Sequence, residues 1–209
     1  PRVNSILMLA QEIKFRTSID VKIEDISVHL NIAEIETLPF LVMTGDRGFQ
    51  SFTQQESDAL KAFIESGGFL LIDNTGKGTG AQAFQKSAGS ELKKIFPNHD
   101  LEKIPQDHVI YRCFYKLKEP YGRVMNSDYA EGLILDKRIA VLYLHNDLTG
   151  ALLKDSLGNF ELPAVPGGEE QRELAIRFGV NIVMYALCLD YKDDQVHIDY
   201  LMKKRNFKK

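Results

Sequence analysis

This chain of 209 residues is short of the features that most readily announce a function. Its two cysteines, Cys113 and Cys188, stand outside any C-x-x-C or Cys/His grouping. Neither a disulfide framework nor a cysteine metal module can be built on them, and both read as buried thiols. No run of about 18 apolar residues occurs, so no helical membrane span is expected. A net charge of -3 and a pI near 6.0 deny the chain the basic field on which nucleic-acid binding rests. Only the final residues are basic, with Lys203, Lys204, Arg205, Lys208 and Lys209, and they read as a solvated helix or tail. Repeats, low-complexity tracts and a Pro- or Ser-rich linker are absent. What remains is one domain over residues 1–209, whose 44% of apolar residues suffices for an ordinary core.

What is present is a regular alternation of helix and strand periodicities. Ile6, Leu9, Ala10 and Ile13 recur at helical spacing, and Ile19-Asp20-Val21-Lys22-Ile23 alternates as a half-buried strand does. Phe40-Leu41-Val42-Met43 and Phe69-Leu70-Leu71-Ile72 are continuous apolar runs one βαβ unit apart, and Ile139 to Leu144 is a third. All three are expected as central strands covered on both faces. Between the first two, Thr53-Gln54-Gln55-Glu56 is a capping box, Leu60, Phe63 and Ile64 form an apolar helix face, and Gly67-Gly68 supply a left-handed stop. Phe84, Ala88, Leu92, Ile95 and Phe96 define a further helix ending before Pro97. Residues 100–135 read as loop with short strands, and residues 150–168 as a long exposed loop. A last helix runs from Glu169 to about Leu189. The architecture expected is α/β, a doubly wound, mostly parallel sheet of flavodoxin-like kind.

In such sheets ligands and catalytic groups collect at the carboxyl ends of the strands. Asp46 and Asp73 follow the first two apolar runs, and a βαβ connection brings both to one edge. Two carboxylates there repel unless a cation, a proton or a hydrogen-bonding ligand intervenes. His108 and the His145-Asn146-Asp147 run are the other polar groups that follow ordered stretches. Two histidines with carboxylates could assemble a metal site, but no fixed ligand spacing is present, so no metal and no cofactor are expected. His29, His99 and His197 read as ordinary. The Asp73-Asn74-Thr75 turn occupies the position of a nucleophile elbow without offering a Cys or Ser there. Gly76-x-Gly78-x-Gly80 has the spacing GxGxG and not GxGxxG, which fits a flexible turn better than a phosphate cradle with Lys77 as counter-charge.

Taken together, Pro39 to Gly45, Leu60-x-x-Phe63-x-x-x-Gly67-Gly68-Phe69-Leu70-x-x-Asp73, Phe96-Pro97, Pro105-x-x-His108-x-x-Tyr111, His145-Asn146-Asp147, Gly179-Val180-Asn181 to Leu187 and Tyr191 to His197 resemble the bacterial "domain of unknown function 4159" family. The resemblance implies a class I glutamine-amidotransferase-like fold, without an assigned reaction. It also implies export or association with the bacterial cell envelope, periplasmic or membrane-associated. Family members commonly carry an upstream strand before the first helix, and residues 1–209 begin after it. The amidotransferase cysteine has no counterpart, so amidotransferase chemistry is not carried over.

The expectation is therefore a domain that binds a small molecule or an envelope protein at a rim lined by Asp46, Asp73, His108, His145 and Asp147. The alternative is a hydrolase acting on a sugar or other polar small molecule, with Asp73 or Asp147 as base and a histidine as acid or ligand. Because the elbow has no nucleophile, incubation with glutamine should release no ammonia, and thiol- or serine-directed probes should leave this turn unlabelled. Glutaminase turnover that survived replacement of both Cys113 and Cys188 would require another nucleophile.

Overall fold

The computed structural model describes residues 4–23 and 27–206, with side chains described up to residue 187. The expectations for Cys188, His197 and the basic tail fall outside those side chains. The helices are α1 (Ser5–Arg16), α2 (Ile32–Ile35), α3 (Gln54–Glu65), α4 (Gly78–Ile95), α5 (Leu148–Leu152) and α6 (Gly168–Asn206). The strands are β1 (Phe40–Gly45), β2 (Phe69–Asn74), β3 (Glu102–Lys103), β4 (Glu131–Leu135) and β5 (Arg138–Leu144). They form one open mixed sheet in the order β1-β2-β5-β4-β3. Its larger part, β1, β2 and β5, is parallel, while β4 and β3 add antiparallel to β5.

Local chemistry accounts for most element ends. Thr53 accepts from the Glu56 amide and Glu56 reaches back to the Thr53 amide, the reciprocal cap that starts α3. Gly67 closes the same helix at φ 107, a left-handed conformation that a β-carbon would disfavour. The period-2 alternation of β2 then divides the core. Leu70 and Ile72 join Leu60 and Phe63 of α3 and Phe84 and Leu92 of α4, whereas Phe69 and Leu71 join Phe178 and Ile182 of α6. The helix α1 closes the outer side of α6 through Leu9 and Ile13 against Val180 and Val183.

Four expectations change. Residues 19–23 form no strand; Ile19 and Val21 are partly buried against the α1/α6 cluster, and this burial accounts for their alternation. The strand β1 is an edge and not a central strand among the described residues, with Leu41 its one buried residue. The final helix extends to Asn206, and the stretch expected as loop begins with the buried turn α5. Leu71 is wholly buried at the centre of β2, so Leu71→Ala should cost about 2–5 kcal/mol in urea denaturation. A cost below about 1 kcal/mol would mean that the two helical layers do not close over this strand.

Candidate functional site

The carboxyl ends of β2 and β5 open into a cleft of about 770 Å³. One wall is the start of α4, with Lys77, Gly78, Gln82 and Gln85; the other is the segment 119–129, with Arg123, Asn126 and Tyr129; Asn74 and His145 also line it. Pleating decides what faces it. Asn74 shares a face of β2 with Leu70 and Ile72 and so meets α4, while Asp73 shares the opposite face with Leu71. The Asn74 amide donates to the Ala81 carbonyl at 2.9 Å and to the Tyr143 hydroxyl at 2.8 Å, and its carbonyl accepts from Gly76 N at 3.0 Å.

Asp73 is fully buried beneath α5. One carboxylate oxygen accepts from Leu148 N at 2.9 Å, and the other from Thr149 N at 2.7 Å and Thr149 Oγ1 at 2.6 Å. Asp147, in a left-handed conformation at φ 56, caps α5 by accepting from Gly150 N at 3.1 Å and is ion-paired with the Arg123 Nε. Burial, and then the neighbouring Asp147 charge, push Asp73 up to about 6. Asp73 and Asp147 therefore serve the fold, and neither lines the cleft.

Asp46 is exposed and makes a two-pronged pair with the adjacent Arg47 at 2.8 and 3.1 Å, which holds its carboxyl below the usual range. The partner that raises Asp73 is thus Asp147 and not Asp46. What Asp46 contributes is its carbonyl. A β-carbon on Gly76 or Gly80 would sit 2.8 or 2.5 Å from that oxygen, so these glycines let the turn pack against the end of β1.

His108 is not brought to this edge. It caps the short 3-10 turn Val109–Tyr111 by accepting from Ile110 N at 3.2 Å, and its ring lies 5.5 Å from that of Tyr185. The Tyr185 hydroxyl accepts from Ile139 N at the start of β5, so His108 belongs to the amino ends of the strands. Burial lowers its pKa.

His145 does reach the cleft. Its Nε2 lies 2.8 Å from Glu131 Oε2, and its ring meets those of Tyr143 at 4.9 Å and Tyr129 at 5.5 Å, both edge-on. Glu131 stands opposite Tyr143 in the β4/β5 register and hence diagonal to position 145, within reach of a long side chain. Between His145 and Asp147, the buried Asn146 donates to the carbonyls of Pro120 and Ser127 at 2.6 and 2.7 Å and accepts from the amides of Asn126 and Ser127 at 2.8 and 2.9 Å. It fixes the loop that forms the second wall.

Of the five residues expected at the rim, His145 alone lines the cleft. Asn74, Arg123, Glu131 and Asn146, which line or support the cleft, are not among those five. Asn74 and Asn146 each adjoin a predicted residue, so counting faces along the strand would have drawn Asn74 in. Among the described residues no group of three or more His, Cys, Asp or Glu side chains is placed to hold a metal ion, and no helix is long and apolar enough to cross a membrane. A family model described as "Domain of unknown function (DUF4159)" matches residues 2–187. No curated protein matches the chain.

Because Asp73 is buried beneath α5, the effect of Asp73→Asn is read in stability. Three donors face this carboxylate, so the substitution should cost about 1–3 kcal/mol of stability, not chiefly binding. The folded state also holds the Asp73 proton to higher pH than the unfolded chain, whose reference value is 3.8. Its contribution is complete below that value and is lost as pH rises through about 6. Urea denaturation across this range should show the gap between wild type and Asp73→Asn narrowing as pH rises; a gap independent of pH would contradict it.

Proposed function

This chain belongs to the DUF4159 family, and we propose that it is a binding domain for a small polar molecule, seated in the cleft between α4 and the segment 119–129. The observation that carries this is the cleft's lining: amide and hydroxyl side chains (Asn74, Gln82, Gln85, Asn126, Ser127) with one histidine, at the strand ends where open α/β sheets bind ligands. A concave polar site of this size suits a small molecule better than a protein surface. The large exposed apolar side chains, such as Phe15 and Leu157, are not part of it.

The family resemblance extends the proposal to a class I glutamine-amidotransferase-like arrangement and to a setting at the bacterial cell envelope. Three parallel strands with a turn after β2 support the first. Asn74 and Thr75 at that turn support a domain without amidotransferase chemistry.

Gln82 and Gln85 are exposed on the first turns of α4 and line the cleft, so replacing both by Ala should leave the melting temperature unchanged. Against a polar metabolite panel screened by thermal shift and quantified by calorimetry, the double variant should bind hits about tenfold more weakly, roughly 1.4 kcal/mol. If no panel member binds, or if the variant binds as tightly as wild type, the cleft is not the binding site.

A further inference from the structure

The most chemically defined group in the cleft is His145. A carboxylate oxygen can only accept, so at Nε2 the neutral ring carries its hydrogen toward Glu131, leaving the lone pair on Nδ1. Nδ1 has no protein partner among the described residues and is not a sealed orphan atom; it opens where His145 lines the cleft. Tyr129 and Tyr143 hold the ring edge-on. A histidine oriented by a carboxylate, with its second nitrogen open to a cavity, is the arrangement of a general base.

We infer that His145, oriented by Glu131, is the base of a hydrolytic site that cleaves a small polar carboxylic ester bound in the cleft, a step that rests on the binding proposal above. Water is the nucleophile. The neighbouring Ser127 hydroxyl is engaged with the Tyr129 backbone, donating to its carbonyl at 2.9 Å and accepting from its amide at 3.2 Å. His145 Nδ1 takes a proton from water as the water oxygen bonds to the ester carbonyl carbon and the C=O electron pair moves onto its oxygen. The tetrahedral intermediate then re-forms the carbonyl and breaks the C–O bond to the alcohol. The departing alkoxide takes the proton from the imidazolium, giving acid, alcohol and neutral His145. An alkoxide leaves more readily than an amide nitrogen, so a single imidazolium suffices for an ester.

Two features favour the negative charge on the carbonyl oxygen. The start of α4 has no side-chain cap and no acidic residue in its first turn. The buried Arg123 uses Nε for Asp147, while its two Nη atoms have no protein acceptor among the described residues. The titratable and charged groups around His145 are Glu131, Tyr129 and Tyr143, with Lys77, Glu119, Arg123 and Asp128 on the cleft walls.

The test is hydrolysis of p-nitrophenyl acetate, with ethyl lactate as an unactivated polar ester, from pH 5 to 9. Wild type should show saturable turnover that rises with deprotonation of one histidine. His145→Gln should lower kcat/KM by about 100-fold or more at an unchanged melting temperature. Glu131→Gln should retain partial activity, lowering kcat with KM little changed, because the ring loses the carboxylate that orients it. Should His145→Gln fail to fold, that kcat-against-KM split in Glu131→Gln carries the test. Hydrolysis of neither ester above the His145→Gln rate, or above the rate of free imidazole where that variant is unfolded, overturns the inference, as does a kcat indifferent to Glu131→Gln. If panel ligands still bind and only hydrolysis is missing, the binding proposal stands alone; if binding is missing as well, both fail.

Discussion

The carboxyl edge of the sheet depends on the way two buried carboxylates are consumed by a helix too short to stand alone. The helix α5 has five residues, below the length at which a helix persists by itself. Its leading amides are taken by Asp73 from the strand beside it and by Asp147 from its own cap. Asp147 in turn holds Arg123, and Gln171 of α6 donates to the carbonyls of Gly122 and Arg123 at 2.8 and 2.9 Å. Strand, short helix, loop and long helix thus meet at one polar junction. Two carboxylates and a guanidinium lie close together under this much protein, and burial together with the Asp147 charge raises the Asp73 carboxyl above its usual range.

Which parts of this were legible in the chain follows from the range of the forces involved. The capping box at Thr53, the glycine stop at Gly67 and the apolar faces of α3 and α4 are local, and they stand where spacing placed them. The parallel pairing of the three apolar runs was legible too, since runs of that kind ask for cover on both faces. The edge position of β1 was not, because an edge strand flanked by helices carries much the same letters as a central one.

The site was less legible, for a geometric reason. Location at the strand ends follows from fold class, but the occupant of that edge follows from pleat parity, and Asp73 and Asn74 differ by a single step along β2. A buried cap and an exposed ligand contact are both written as Asp after an apolar run. Glu131 could not be found at all without the β4/β5 register, which depends on contacts across the sheet. His108 stands at the opposite ends of the strands because a position after an ordered stretch says nothing about which end of a strand a loop returns to.

The clasp made by Asn146 touches its loop through main-chain atoms alone, at Pro120, Asn126 and Ser127. A β-carbon at Gly122 would come within 2.0 Å of the Asn146 carbonyl, so that one position is closed to other residues. The side chains at 124 and 125 carry no part of the clasp, although Val124 and Met125 face the cavity, whereas Asn126 adds a hydrogen bond of its own from its side-chain amide to the His145 carbonyl at 3.1 Å. Loop shape and loop chemistry are therefore separable in this protein: substitutions at those positions can change the chemistry that the cavity wall presents while the wall stays where it is.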